Sequence, residues 1–182
     1  RKNPVNAKGE VVDPVVWECN CLEEVCGACS MLINGVPRQS CAALTDKLLE
    51  QYGTNQPITL EPLTKFPVIR DLMVDRQIMF DNLKRVKAWV PVDGSFAIGR
   101  GPRMSDVDHA IAYPISRCMT CGCCYESCPN CNDKSKFVGP FAIAQVRMFN
   151  MHPIGKMHKD MRLKALTEKG GIQECGNSQN CK

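Results

Sequence analysis

The chain has 182 residues, of which 44% are hydrophobic, and a formal net charge of +4 at pH 7. This composition excludes an intrinsically disordered chain, and no apolar run reaches the roughly 20 residues of a membrane-spanning helix. The 13 cysteines are the exceptional feature, because an odd number excludes a fully paired set of disulfides. They fall into three tight groups, which fits metal ligation in a reducing compartment better than extracellular cross-links. No segment interleaves aromatic with basic residues, so no nucleic-acid partner is expected.

The first part of the chain is predicted to consist of β-structure and loops. Met31 to Ile33 is predicted as a strand that leads into Asn34-Gly35, the dipeptide typical of a type I′ hairpin turn. A second short strand is expected at residues 58–60, and a short helix is expected between Leu44 and Leu49.

The first cysteine group has the C-x4-C-x2-C spacing followed by a fourth cysteine: Cys21, Cys26, Cys29 and Cys41. This is the spacing of plant-type [2Fe–2S] sites, in which each iron needs two thiolates beyond the bridging sulfides. We therefore predict a [2Fe–2S] cluster here, with Gly27 allowing backbone N–H groups to approach the sulfurs. Cys19 fits no standard loop and is predicted to be a bystander. The alternative is a zinc site, which usually takes its ligands from two separated knuckles.

Beyond Pro67 the apolar residues recur every three or four positions, which predicts one amphipathic helix. The pattern consists of Ile69, Leu72, Met73, Met79, Leu83, Val86 and Val90, with Pro91 and Gly94 ending the helix. Residues 91–108 are rich in Pro, Gly, Ser and Asp and are predicted to form an irregular connector. Two later helices are predicted, one from Pro140 to a stop before Pro153 and one over about residues 157–168.

The second cysteine group, Cys118 to Pro129, contains the bacterial ferredoxin run C-x2-C-x2-C-x3-C-P. Its first three ligands are predicted to hold a [4Fe–4S] cluster: Cys118, Cys121 and Cys124. The fourth cysteine of such a run ligates a neighbouring cluster. A set of three thiolates, which suits a [3Fe–4S] cluster, is therefore predicted from Cys128, Cys175 and Cys181.

Two cysteines of this region have no role in that scheme. Cys123 is predicted to be a buried thiol, and Cys131 is predicted to be a bystander, with a role as an alternative ligand left open. The [4Fe–4S] cluster also lacks a fourth thiolate, which is expected just beyond Lys182, so that the chain would be truncated at its C-terminus.

These motifs, in this order, resemble the iron–sulfur subunit of the succinate dehydrogenase and fumarate reductase (complex II) family. The resemblance extends to stretches without a ligand role, above all Pro67-Val-Ile-Arg-Asp-Leu72 and Val138-Gly-Pro140. It implies an α+β fold in an internal fragment of a longer subunit. Residues 1–70 would form part of a β-grasp plant-type [2Fe–2S] ferredoxin domain, and residues 71–182 an all-helical ferredoxin domain with the other two clusters.

The resemblance also implies a function, in which no residue of this chain is catalytic. Electrons would pass from FAD in a flavoprotein subunit, where succinate is oxidised, through the clusters to a membrane quinone beside a membrane-anchor cytochrome b subunit. The chain would be peripheral on the cytoplasmic face of a bacterial membrane, or alternatively on the matrix side of the mitochondrial inner membrane. Asn130 after Pro129, and Gly176 after Cys175, favour menaquinone, because ubiquinone-reducing members tend to carry Trp and His there.

Two alternatives concern the reaction. The same subunit could serve fumarate reduction, since ligand spacing does not determine the direction of turnover; the dehydrogenase is preferred as the commoner member. An iron–sulfur subunit of a glycolate oxidase or heterodisulfide reductase type enzyme is less favoured, because those usually lack a plant-type loop such as Cys21 to Cys41.

Overall fold

The computed structural model describes residues 4–91 and 102–181. The chain divides into two compact units, Arg1–Arg76 and Gln77–Lys182, and each is described by itself. The domain limits 1–70 and 71–182 stay a prediction.

The first unit contains a three-stranded antiparallel sheet of β1 (Ser30–Ile33), β2 (Val36–Gln39) and β3 (Leu60–Glu61), in the order β2-β1-β3. The predicted hairpin is confirmed: Asn34 and Gly35 both have positive φ, at 49° and 75°, as a type I′ turn requires. The next strand starts at Leu60 rather than at residue 58.

Helix α1 (Thr45–Tyr52) confirms the short helix expected after Cys41 and extends it by one turn. Its Leu48 is buried and packs with Met31 and Ile33 of β1, while Ile58 and Leu72 cover the edge of this small core. A 3-10 helix, Ser40–Ala42, joins β2 to α1 and carries Cys41.

The prediction of a single helix beyond Pro67 is wrong for the first part of that segment. Val68–Arg70 and Met73–Val74 form the antiparallel strands β4 and β5 instead. Asp71 causes the difference: its φ of 50° makes a turn, and its carboxylate accepts the Val16 N–H at 2.8 Å. A helix begins only with α2 (Gln77–Arg85) and ends before the predicted stop at Pro91. Gly94, the other predicted stop, lies outside the described residues.

The second unit is helical over its described part. After α2 come α3 (Asp106–Ser116), α4 (Cys123–Ser127), α5 (Pro140–Met151) and α6 (Lys159–Thr167). The helix predicted from Pro140 is confirmed, and the next one begins two residues late because Gly155–His158 is a 3-10 helix. Residues 92–101 of the predicted connector lie outside the described part, and its last residues belong to α3, which Ser105 caps by accepting the Asp108 N–H.

Helix α5 is central to this unit, because it contacts α2, α3, α4 and α6. Phe141, Ala142 and Val146 are its buried face. Arg162 of α6 is fully buried beside it and donates to the carbonyls of Trp89 and Gly155 and to the Asn150 side chain. The unit is therefore held by side-chain packing around α5, against which the cysteine segments lie.

Candidate iron–sulfur sites

In the first unit, the loop from Cys21 to Cys29 winds its backbone around the sulfur of Cys21. Leu22, Glu24 and Gly27 have φ values of 61°, 57° and 71°, which turn the loop back on itself. As a result the N–H groups of Glu23 and Val25 both point at Cys21 Sγ, at 3.4 Å. The loop thus supplies donors to a sulfur before any metal is considered.

These donors stabilise a thiolate at Cys21. The N–H groups of Glu23 and Val25, followed by the thiol of Cys26, lower the pKa of Cys21 to about 7. The thiolate is the form of cysteine that binds iron. The Ala28 N–H also lies 3.5 Å from the sulfur of Cys26.

Cys41 closes this group from the 3-10 helix. Its N–H lies 3.5 Å from Cys29 Sγ, and the two side chains are also hydrogen-bonded. Burial opposes the thiolate of Cys29, but donors from Cys41 and Ser40 outweigh it and lower its pKa. The pKa of Cys41 is raised by burial, then by Cys29, and further by the charge of Cys21. The structure therefore brings the four predicted [2Fe–2S] cysteines together, while Cys19 is exposed.

Sequence reasoning missed Arg76, which fixes this loop from 49 residues away. Its guanidinium donates to the Gly27 carbonyl at 2.6 Å, and the Ser30 hydroxyl donates to the same oxygen at 2.8 Å. No sequence signal indicates this contact, because a single arginine after a strand has no characteristic spacing.

In the second unit, Cys118, Cys121 and Cys124 also converge, but in an apolar setting. Cys124 lies on α4 beside Phe141, and burial is the first cause that raises its pKa to about 12, followed by the charges of Cys121, Cys118 and Cys181. Cys118, Cys124 and Cys181 line one cavity of about 460 Å³ with Pro114, Ile115, Arg117, Pro140, Phe141 and Ala144. The predicted [4Fe–4S] cysteines are therefore near one another and near Cys181.

A second cavity, of about 420 Å³, is lined by the three cysteines predicted for the [3Fe–4S] cluster: Cys128, Cys175 and Cys181. Its other walls are mainly apolar and include Phe137, Pro140, Ile143 and Ile172. Asn130 donates to the Glu174 carbonyl at 3.0 Å, next to Cys175 in the chain.

Cys131 is buried, with 1% of its surface exposed, but it is not among the described residues that line this cavity. It lies instead near Tyr125, whose pKa is raised by burial and then by Cys131 and Cys128. Cys123 is the first residue of α4 and is half-buried.

The donor sets fit iron–sulfur clusters in their chemistry. Thiolates are the ligands that iron–sulfur cores take, and backbone N–H groups aimed at sulfur are the usual surroundings of such cores. The two cavities of the second unit place cysteines on mainly apolar walls. Within residues 4–91 and 102–181, no three His, Cys, Asp or Glu side chains close around the position of one metal ion.

Comparisons with known proteins agree with this chemistry. Residues 5–81 match the family model of the 2Fe–2S iron–sulfur cluster binding domain. The chain is 60% identical over 181 residues to the succinate dehydrogenase iron–sulfur subunit of Bacillus subtilis, covering 100% of this chain and 69% of that protein. It is 27% identical over 169 residues to the fumarate reductase iron–sulfur subunit of an Escherichia coli strain, covering 92% of this chain and 66% of that one. The chain thus spans about two thirds of the length of these relatives.

A solved structure is also similar. A chain of the Mycobacterium smegmatis Sdh1 complex in the apo form matches with a TM-score of 0.72 and 26% identity, over 92% of this chain and 68% of that chain.

The fold and the cysteine groups define an iron–sulfur protein of the ferredoxin type, with a sheet-containing [2Fe–2S] unit and a helical unit. The chain belongs to the iron–sulfur subunit family of succinate dehydrogenase and fumarate reductase. It is a subunit of a multi-subunit oxidoreductase complex of the succinate dehydrogenase type. The predicted α+β fold class and the family resemblance are thereby confirmed. Among the residues that the structure describes, no helix is both long and apolar enough to cross a bilayer.

Proposed function

We propose that this chain carries electrons from FAD in a flavoprotein subunit, where succinate is oxidised to fumarate, to a quinone at a membrane-anchor cytochrome b subunit. The observation that carries the proposal is the position of Cys181, which lines both cavities of the second unit. Two clusters held in these cavities would be immediate neighbours, as a chain of single-electron transfers requires. The same role in a fumarate reductase is the second candidate, favoured by the similarity to that subunit.

We assign the ligands as the spacing predicts. A [2Fe–2S] cluster is assigned to Cys21, Cys26, Cys29 and Cys41; a [4Fe–4S] cluster to Cys118, Cys121 and Cys124; and a [3Fe–4S] cluster to Cys128, Cys175 and Cys181. Cys181 is assigned to the last set because it shares the 420 Å³ cavity with both of its partners. When bound, the clusters supply the one-electron redox centres.

The residues of this chain contribute binding and environment. The loop N–H groups of Glu23 and Val25 stabilise the thiolate of Cys21, which favours assembly of the first cluster. In the second unit, Phe137 and Ile143 line one cavity and Phe141 lines the other, so that each bound cluster would have mainly apolar neighbours, which influence its potential.

The partners and the location follow from the same proposal. The chain is a peripheral subunit on the cytoplasmic face of a bacterial membrane, between the flavoprotein and the anchor, and menaquinone is its quinone. A side chain at position 176 would lie against the Asn130 amide, with Cβ 2.7 Å from Asn130 Nδ2, and the amide would have to move. The glycine that follows Cys175, where ubiquinone-reducing members tend to carry histidine, supports menaquinone.

The test is a pair of matched variants in the intact complex, Cys175→Ser and Cys131→Ser. We expect Cys175→Ser to remove the oxidised-state [3Fe–4S] EPR signal and to lower succinate-dependent quinone reduction at least tenfold, because a ligand is lost. Cys131→Ser should keep both the signal and the activity. A [3Fe–4S] signal that survives Cys175→Ser but not Cys131→Ser would overturn the ligand assignment. A wild-type complex without any of the three cluster signals would overturn the function.

A further inference from the structure

A buried amide lies against the sulfur of one predicted ligand in the first unit. Gln39, at the end of β2, is 4% exposed, and its Oε1 accepts from the thiol of Cys29 at 3.6 Å. Its Nε2 donates to Ser30 Oγ at 2.8 Å. The Ser30 hydroxyl donates in turn to the Gly27 carbonyl at 2.8 Å, which also accepts from Arg76. A chain of hydrogen bonds thus runs from Cys29 through Gln39 and Ser30 to the cluster loop.

The donor-to-acceptor direction of these hydrogen bonds depends on the hydrogen of the Cys29 thiol. A cysteine that ligates iron is a thiolate and has no hydrogen to donate. The Gln39 oxygen would then face a negative sulfur in a buried position, which is unfavourable. A half-turn of the amide about its last bond exchanges Oε1 and Nε2 and directs an N–H at the sulfur.

Ser30 and Gly27 can adjust their hydrogen bonds to this half-turn. After the turn, Gln39 Oε1 accepts from the Ser30 hydroxyl, which rotates away from the Gly27 carbonyl. That carbonyl keeps its bond from Arg76, at 2.6 Å. The Ser30 hydroxyl and the Gly27 carbonyl therefore have a partner in both directions, as buried polar groups require.

We propose that Gln39 is a positioning residue for the first cluster: its side-chain amide donates an N–H···S hydrogen bond to Cys29 in the loaded protein and raises the reduction potential of that cluster. This inference rests on the proposed function, because it requires Cys29 to be a cluster ligand. Reduction adds negative charge to the ligand sulfurs, so a donor aimed at sulfur stabilises the reduced form more than the oxidised form.

The test is a redox titration of the [2Fe–2S] EPR signal in the intact complex, with variants Gln39→Leu and Gln39→Glu. Gln39→Leu removes the donor, and we expect the ratio of reduced to oxidised cluster at a fixed poise to fall about tenfold, or about 59 mV for one electron. Gln39→Glu has the same shape but no N–H, and it should lower the potential at least as much. The matched control is Gln51→Leu on the exposed face of α1, which should leave the potential unchanged.

A second measurement detects the hydrogen bond to the cluster directly. Wild-type complex labelled with ¹⁵N in the glutamine side-chain amide should show a ¹⁵N hyperfine coupling to the reduced [2Fe–2S] cluster, and Gln39→Leu should lose it. An unchanged potential in Gln39→Leu, or a wild-type cluster without this coupling, would overturn the role of Gln39 alone. A wild-type complex that binds iron but gives no [2Fe–2S] signal would overturn the ligand assignment and this inference together.

Discussion

The two units present their cysteines in opposite environments. In the first, backbone N–H groups of a single loop lower the pKa of Cys21 to about 7. In the second, burial against α5 raises the pKa of Cys124 to about 12. Hydrogen bonds from its loop therefore favour the thiolate at Cys21, while burial disfavours the thiolate at Cys124. The contrast teaches that the pKa of a candidate cluster ligand is determined by loop hydrogen bonds in one unit and by side-chain packing in the other.

The largest expected effect is a difference in thiol reactivity between the two units. In the cluster-free, reduced full-length chain at about pH 8, iodoacetamide should modify Cys21 more than 100-fold faster than Cys124, because only the thiolate reacts. The lowered pKa places the reactive form of Cys21 above about pH 7, so its labelling rate should rise through pH 7. Mass spectrometry of the quenched peptides measures both rates, and equal labelling at pH 8 would remove the contrast.

A second effect concerns the packing of the helical unit. Arg162→Leu leaves the carbonyls of Trp89 and Gly155 and the side chain of Asn150 without a charged donor, and we expect a loss of about 3 kcal/mol in the free energy of unfolding. Lys164→Leu, on the exposed side of the same helix, should change it by less than about 0.5 kcal/mol. Urea unfolding of the full-length chain, followed by circular dichroism, compares them. Equal losses for the two variants would contradict the packing account.

Two glycines with similar backbone geometry provide a direct comparison of the units. Gly139 has φ +95°, and an added Cβ would lie 2.7 Å from the Tyr125 ring and 2.9 Å from Phe141; Gly53 has φ +88° and open space. Gly139→Ala should cost about 3 kcal/mol and Gly53→Ala about 1 kcal/mol, because only the first adds a steric clash to the backbone strain.

The same unfolding experiment measures the glycine variants. A larger loss of unfolding free energy for Gly53→Ala than for Gly139→Ala would contradict the steric clash with Tyr125 and Phe141.

The smallest expected effect is at Glu23. The donor to Cys21 is its backbone N–H, so Glu23→Ala should leave the midpoint of the Cys21 labelling profile close to pH 7. The labelling experiment above measures it. A midpoint that moves up to the range of an ordinary cysteine would show that the side chain, and not the backbone, stabilises the thiolate.

The sequence predicted features whose causes are local. Asn34-Gly35 specifies its turn by the conformations these two residues allow, and Pro140 begins α5 as a first-turn proline does. The helix predicted from the three-and-four spacing around Ile69 and Leu72 was wrong in this part, because the same spacing also suits two short strands around a turn. Nothing in the sequence indicates that Asp71 accepts the N–H of Val16, 55 residues away.

For the candidate sites, too, the sequence predicted the local features but not the long-range contacts. Cysteine spacing defined the groups, but the placement of Cys181 between two cavities depends on how the chain after α6 lies against α5. The contacts of Gln39 and Arg76 with the cluster loop arise only in the folded unit, since neither residue lies in a motif.

The central claim is that these thiolates hold three clusters in one electron-transfer subunit. Iron and sulfide analysis of the intact purified complex, combined with EPR during a redox titration, tests it most directly. The account predicts about nine iron atoms per subunit in [2Fe–2S], [4Fe–4S] and [3Fe–4S] centres, the last visible when oxidised and the first when reduced. A folded, assembled complex in which this subunit contained zinc or no metal would contradict it.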